Sequence, residues 1–483
     1  MMNIKDNFNR LLILLIFVLF ICVGLYGLPD SLFGYTIKKV DLLSDIRLKE
    51  ASVSLDSLRA QLEETEAVIE TDSAIRCDST TQAELIDLRV IELRDSLYKI
   101  MSTGRQADTA GIRIEDHSTG HTGLSRFFAA LNRRTSRPVR IAVTGDSFIE
   151  GDIMVADFRN DMQKKFGGRG VGFVPVTSPT AQYRPTIDQQ IKGWTIHSIL
   201  NDKKQAYTLS GMTFEVKSDK AEISFKTAGY YDRLKSVSSL KLIYEKTAGT
   251  NMQLVYNGSP DTINRVLSSS GIIDQYIVHD DSITTGRFTF TDAKGFRALG
   301  LALEDNEGVV VDNFSLRGNS GLLMERLDPA DCESFDKVRH YDLIILQYGL
   351  NVIDENMLQY GWYKARMIKV ISHLRHCFPD TDFLLMGVSD RCNQYNGEFQ
   401  TMPAVLALLH TQRQIAQQAG IPFWNTFGAM GGENSMVGFV NKGWASKDYT
   451  HLSFRGGREI AKSLISALLI EKEFYDKAEQ TVQ

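Results

Sequence analysis

The stretch VRIAVTGDSF, residues 139–148, decides the fold class, because a short apolar run leads into a Gly-Asp-Ser turn ahead of a helical pattern. Residues 139–144 are typical of a buried strand, and residues 153–166 have helical spacing. Strands and helices alternate again later, at 341–348, 362–378, 382–388, 405–419, 421–427 and about 456–474. This rhythm predicts a parallel α/β sheet with helices on both faces.

A different texture interrupts this rhythm at residues 194–319. The segment is rich in Thr, Val, Ile, Tyr and Phe, and its short alternating runs are separated by turn signals such as Asn257-Gly258. Seven or more short strands without a helix predict an antiparallel sandwich or jelly roll, inserted into the α/β domain. We expect this module to fold by itself. Three of its aromatic residues are candidates for sugar stacking, although core packing is the commoner role: Trp194, Tyr230 and Tyr231.

The composition of the 483 residues excludes several classes of protein. Acidic side chains outnumber basic ones, 59 to 54, for a net charge of −5, whereas a general nucleic-acid binder needs a basic surface. Five cysteines without a C-x-x-C pair exclude a disulfide scaffold and make a structural zinc site unexpected.

Residues 11–28 form an uncharged apolar run of membrane-spanning length, preceded by Lys5 and Arg10. We interpret it as an uncleaved anchor rather than a signal peptide, with a cytoplasmic tail at 1–10 and the rest of the chain outside the cytoplasm. Residues 29–120 are predicted as a helical stalk and linker. The stalk is either a short coiled coil, which allows oligomers, or a solvated spacer.

Ser147 follows the end of the first α/β strand, where open α/β sheets bind their ligands. By itself the Gly-Asp-Ser turn is better explained as a helix cap than as a nucleophile turn. Asp448 precedes His451 by three residues, a spacing at which a carboxylate can orient an imidazole toward a nucleophile. The alternative is a surface turn with an exposed histidine.

Two further segments offer hydrogen-bond donors for an oxyanion. Asn351 follows the strand at 341–348, and its amide is a candidate donor at the edge that carries Ser147. The glycine-rich stretch 167–173 offers a backbone N–H from Gly170, with Gly168 and Gly172 as alternatives. The structural alternatives are a helix cap for Asn351 and a tight turn for the glycines.

Together these segments resemble the SGNH (GDSL-like) hydrolase family. GDSF (145–148) is similar to its nucleophile block, GLN (349–351) to its Asn block, KDYTHLS (447–453) to its terminal block, and VSDR (388–391) to its usual sequence after a central strand. The resemblance implies a flavodoxin-like parallel sheet over 121–193 and 320–475, with a C-terminal tail at 476–483. It implies catalysis by Ser147, His451 and Asp448, an oxyanion hole of Ser147, Gly170 and Asn351, and no metal or organic cofactor.

The interrupted layout is similar to bacterial envelope esterases of this family that carry an inserted carbohydrate-binding-like jelly roll, including peptidoglycan O-acetylesterases. It implies an O-acetylesterase of a cell-envelope glycan, held in the bacterial inner membrane with its body facing the periplasm or the exterior. Two alternatives stay open: an O-acetyltransferase with the same triad, and a non-catalytic glycan-binding scaffold. Val352 departs from the acidic residue that many relatives have after the Asn.

Overall fold

The computed structural model describes residues 113–202, 204–245, 247, 249–269 and 271–482, and the two-residue strands Ser31–Leu32 and Tyr35–Thr36. The chain divides into two compact units, Met1–Ala74 and Ile75–Gln483. In the first unit the two short strands pair antiparallel. The predicted anchor at 11–28 and the helical pattern of the stalk lie outside the described residues. In the part of the chain that is described, no helix is both long enough and apolar enough to span a membrane.

The strands are β1 Ser31–Leu32, β2 Tyr35–Thr36, β3 Ile114–Asp116, β4 Val139–Gly145, β5 Gly172–Pro175, β6 Ile187–Lys192, β7 Trp194–Ser198, β8 Met212–Val216, β9 Lys220–Thr227, β10 Val237–Glu245, β11 Thr250–Tyr256, β12 Ile263–Leu267, β13 Ile273–Ile283, β14 Thr285–Thr291, β15 Arg297–Glu304, β16 Val309–Ser315, β17 Leu343–Gln347, β18 Asp382–Met386, β19 Cys392–Tyr395, β20 Glu398–Thr401 and β21 Pro422–Trp424. The α-helices are α1 Ser125–Asn132, α2 Val155–Phe166, α3 Pro329–Arg339, α4 Gly361–Cys377, α5 Pro403–Ala419, α6 Thr426–Met430, α7 Ser435–Asn441 and α8 Phe454–Val482.

The main sheet has the strand order β16-β4-β17-β18-β21-β3. The first five strands are parallel, and β3 closes the edge antiparallel to β21. Counted along the chain, the parallel strands have the order 2-1-3-4-5, which is the flavodoxin-like order. The predicted parallel α/β sheet is confirmed, and its carboxyl edge is the edge at which this topology places a site.

The folded body begins earlier than predicted, because Ile114–Asp116 pairs with β21 although the linker was expected to reach residue 120. Four helices, α1, α3, α6 and α7, were not predicted. In α3 the start is locally encoded, since Asp328 accepts hydrogen bonds from the N–H groups of Ala330 and Asp331. Pro329 takes the first helical position, where no N–H is needed.

The inserted module consists of two antiparallel sheets, β13-β10-β15-β8-β7 with β5 added on β15, and β12-β11-β14-β9-β6. The sheets pack face to face, because Trp194 of β7 contacts Phe290 of β14 with ring centroids 5.6 Å apart. Trp194 is therefore partly buried and packs against the core of the sandwich. Tyr231 donates its hydroxyl hydrogen to Asp157 of α2. The predicted sandwich is confirmed, whereas the finer jelly-roll topology stays a prediction.

The boundaries of the module differ from 194 and 319. β5 pairs with β15 and β6 pairs with β9, so the sandwich begins near residue 172. At the other end β16 pairs in parallel with β4, from Val309 opposite Val139 to Ser315 opposite Gly145, and so belongs to the main sheet. A Val-rich strand has the same sequence pattern in a parallel sheet and in a sandwich, and only the strand with which it pairs distinguishes the two. A fragment of residues 194–319 would therefore lack two strands and carry a foreign one.

Candidate functional site

The strand β4 places Ser147 at the carboxyl edge of the main sheet, two residues after the strand ends. Gly145 has no room for a side chain, because a Cβ there would lie 2.6 Å from Gln347 Oε1 of β17. The turn is held by Asp146, whose Oδ1 accepts a hydrogen bond from the N–H of Phe148 over 2.9 Å. The serine itself is 7% exposed. Its position is therefore set by close strand packing and a side-chain-capped turn.

The loop before α8 brings His451 against this serine. Asp448 Oδ1 accepts the N–H groups of Thr450 and His451 over 3.0 Å each, and this shapes the turn. Asp448 Oδ2 lies 2.7 Å from His451 Nδ1, and His451 Nε2 lies 3.0 Å from Ser147 Oγ. A carboxylate only accepts, so Nδ1 carries the proton in a neutral imidazole and Nε2 accepts from the serine hydroxyl. The structure thus brings the three predicted side chains into one hydrogen-bonded chain.

The charge of Asp448 is held by its hydrogen bonds. Burial alone would raise the pKa of this carboxyl, but the donors of His451 and Thr450 outweigh burial and lower the pKa to about 2. The carboxylate is therefore ionised at neutral pH, although it is 49% exposed. An ionised partner favours an imidazole that takes up a proton from Ser147. Within the described residues, no three His, Cys, Asp or Glu side chains cluster in a way that could hold a metal ion.

Asn351 lies at the same edge, in the turn after β17, as predicted. Its Nδ2 donates to Asp146 Oδ2 over 3.2 Å and to the carbonyl of Asn319 over 3.1 Å. Asp146 is fully buried, and burial raises its pKa to about 6 against the opposing hydrogen bonds. The amide of Asn351 is thus placed next to the nucleophile turn, with its hydrogens directed at these two acceptors.

The structure places Gly170 away from Ser147, so its predicted oxyanion role is corrected. The N–H of Gly170 donates to the carbonyl of Arg233. The preceding Gly167 accepts from Val309, which pairs with the first residue of β4. Seven residues of β4 separate this end of the strand from the turn that carries Ser147, about 23 Å at 3.3 Å per residue.

The two alternative glycines are excluded as well. A Cβ at Gly168 would lie 2.7 Å from the backbone nitrogen of Val309, at the same end of the sheet as Gly170. A Cβ at Gly172 would collide with Asp312 Oδ1, in the middle of β16. The glycines of this stretch serve close backbone packing between the two domains.

A different glycine, Gly318, lies on the loop that leaves β16 at the site edge. The N–H of Leu316 donates to the carbonyl of Gly145 over 2.9 Å, and Asn319 accepts from Asn351. Gly318 has φ +81 and open space where a side chain would project. Sequence reasoning missed it because the strand before RGNSG (317–321) was assigned to the insert. The sequence signal that could have identified Gly318 is the glycine-containing segment RGNSG, which directly follows a Val-rich strand.

Comparisons with protein-family models and with curated proteins found no match. Among solved structures, the chain is similar to "Peptidoglycan O-acetylesterase in action, 5 min", with a TM-score of 0.61 and 19% identity over 74% of this chain and 99% of that chain. A family two carbohydrate esterase from Cellvibrio japonicus matches with a TM-score of 0.25 and 11% identity, over 60% of this chain and 99% of that one. A variant of an acetyl xylan esterase from Geobacillus stearothermophilus matches with a TM-score of 0.25 and 19% identity, over 35% of this chain and 74% of that one. At 19% identity, the similarity to the first of these structures shows a shared fold and no more.

Proposed function

We propose that this chain, which has the SGNH hydrolase fold, is a serine esterase that removes acetyl or similar short acyl groups from a cell-envelope glycan such as peptidoglycan. The observation that carries the proposal is the hydrogen-bonded chain Ser147–His451–Asp448, with its distances of 3.0 and 2.7 Å. Both distances lie in the range that an activated serine nucleophile requires.

In the proposed reaction Ser147 Oγ attacks the ester carbonyl carbon, and His451 Nε2 takes the hydroxyl proton. Asp448 stabilises the resulting imidazolium. His451 then returns the proton to the departing sugar oxygen, which leaves an acyl-serine and a free hydroxyl on the glycan. Water, deprotonated by His451, attacks the acyl-serine, and His451 returns this proton to the departing Ser147 Oγ as the acid is released.

The negative oxygen of the tetrahedral intermediate needs donors at the same edge. Two backbone N–H groups, those of Ser147 and Gly318, donate to no acceptor among the described hydrogen bonds. Asn351 Nδ2 is the third donor, if one of its hydrogens turns from Asp146 or Asn319 toward the oxyanion. Loss of one such donor costs about 10²–10³-fold in kcat in comparable sites.

The choice of a glycan ester rests on two supports. A solved protein with a similar fold is named a peptidoglycan O-acetylesterase, and 99% of its chain is covered. The second is the inserted β-sandwich, an architecture that carbohydrate-binding modules also use. We extend the proposal to location: residues 11–28 anchor the chain in the inner membrane, with the site outside the cytoplasm.

The test of function uses the soluble part of the chain with 4-nitrophenyl acetate and with O-acetylated peptidoglycan, with and without an acceptor sugar. We expect acetate release from both substrates by wild type and by Ser136→Ala, a control at an exposed serine. Ser147→Ala should release acetate only at a rate near background. Transfer of the acetyl group to the added sugar in place of acetate release would identify an acyltransferase, and inactive wild type would contradict the proposal.

The test of location follows the full chain after cell fractionation. If the anchor is not cleaved, the protein should be found in the membrane fraction with its N-terminal residues still present. A soluble protein that starts near residue 30 would show cleavage and contradict the anchor.

A further inference from the structure

We propose that Phe399 and Tyr449 form a stacking platform for the sugar ring that carries the scissile acyl group. The inference deepens the proposed function and rests on it, because it names the part of the substrate that the site recognises. Phe399 lies on the hairpin β19–β20, which follows β18 at the carboxyl edge of the main sheet, and Tyr449 lies on the loop before α8.

The hairpin has a defined turn and is held at its base by hydrogen bonds. Its turn is Asn396-Gly397, with φ +51 and +90, the left-handed geometry of a two-residue hairpin. At its base Thr401 Oγ1 donates to the buried Asp390 over 2.8 Å, and Thr401 and Asn434 exchange two further hydrogen bonds. A strand tip held in this way keeps Phe399 in one place without a ligand.

Phe399 lies flat on the catalytic loop. Its ring stacks on that of Tyr449 with centroids 3.6 Å apart and an angle of 9° between the planes. Tyr449 follows Asp448 directly and precedes His451 by two residues, and its carbonyl accepts the N–H of Cys392 from the hairpin. The backbone of Tyr449 has φ +54, an uncommon conformation for a tyrosine that the surrounding contacts maintain.

The exposed part of the Phe399 side chain is the surface that we assign to the sugar ring. One face is covered by Tyr449, yet the residue stays 37% exposed. A pyranose ring presents axial C–H groups with partial positive charge, which are attracted to the negative face of an aromatic ring. In an acylated sugar the carbonyl carbon of the ester is joined to the sugar through the hydroxyl oxygen, so it stays close to the ring. A sugar bound beside the Asp448–His451 loop therefore brings that carbonyl carbon toward Ser147.

The experiment compares Phe399→Ala and Phe399→Trp with Leu406→Ala, a matched control on α5 with the same 37% exposure. Each variant is assayed with O-acetylated peptidoglycan fragments, with acetylated xylo-oligosaccharides and with 4-nitrophenyl acetate, which has no sugar ring. We expect Phe399→Ala to raise KM for an acetylated glycan about threefold to tenfold, the range of one aromatic contact. The tryptophan variant and Leu406→Ala should stay within twofold of wild type on every substrate.

The readout on 4-nitrophenyl acetate separates sugar recognition from support of the catalytic loop. If Phe399→Ala lowers kcat on this substrate as much as on the glycan, Phe399 merely holds Tyr449, and the platform is overturned. Unchanged KM for both glycans also overturns it. Binding of the same fragments to Ser147→Ala, with and without Phe399→Ala, tests the platform without turnover. A higher Kd for the double variant than for Ser147→Ala alone supports the platform even if the esterase proposal fails. An equal Kd for the two variants rejects the platform.

Discussion

Replacing Asp448 by asparagine removes the charge behind the imidazole and nearly preserves the shape of the loop. In wild type the two carboxylate oxygens divide their work: Oδ2 faces His451 Nδ1 and Oδ1 accepts two backbone N–H groups. Asparagine can keep its oxygen for the backbone donors, but its NH2 group then faces Nδ1. The imidazole must accept there and carry its proton on Nε2, where it can no longer take one from Ser147.

The magnitude follows from the charge that the reaction creates. Two unit charges about 4 Å apart attract by about 4 kcal/mol at an effective dielectric constant of 20, and by about 1 kcal/mol in water. Asp448 is 49% exposed, so the value lies between these limits, at roughly 3 kcal/mol. At about 1.4 kcal/mol per factor of ten, and with the wrong tautomer added, we expect kcat to fall roughly 10²–10⁴-fold.

The assay measures kcat with 4-nitrophenyl acetate between pH 5 and 9, beside the circular dichroism spectrum and the Tm. Asp232→Asn, at an exposed carboxylate paired with Lys235, serves as the control and should keep wild-type kcat. A folded Asp448→Asn enzyme with kcat within tenfold of wild type would refute the argument. Because the pKa of Asp448 is lowered to about 2 from 3.8, the stability it contributes is complete above about pH 4 and is lost as the pH falls through 2.

Three further outcomes are expected. Ser147→Ala and His451→Ala should each reduce ester hydrolysis to near background, and the double variant should be no slower, because nucleophile and base act as a unit; additive losses would contradict this. Gly170→Ala should lower the Tm while kcat of the folded enzyme stays within twofold, since φ is +95 and a Cβ would collide with the carbonyl oxygen of Leu303; a selective loss of kcat would restore its oxyanion role. Asp152→Ala should lower the free energy of unfolding in urea by about 3–5 kcal/mol, because it leaves the buried guanidinium groups of Arg159 and Arg184 without their carboxylate; a loss below about 1 kcal/mol would contradict this.

Local patterns were sufficient for four strands of the main sheet, β4, β17, β18 and β21, and for the reactive side chains. The apolar run before Ser147 forms β4, and Asp448 and His451 share one turn because their spacing allows the carboxylate to cap it. Such features depend on residues that are neighbours in sequence. The same reasoning assigned β16 to the wrong sheet, because a buried strand of a parallel sheet and a strand of a sandwich have the same Val-rich pattern.

The sequence by itself determined the alternating α/β body, the all-β insert and the residue types of the site at Ser147, Asn351, Asp448 and His451. Tertiary structure decided which strand ends meet. It moved Val309–Ser315 from the insert into the main sheet. It thereby brought Gly318 to the edge of Ser147 and left Gly170 at the far end of β4. The physical reason is that strand pairing joins residues more than a hundred positions apart, and hydrophobic periodicity records burial without recording the partner.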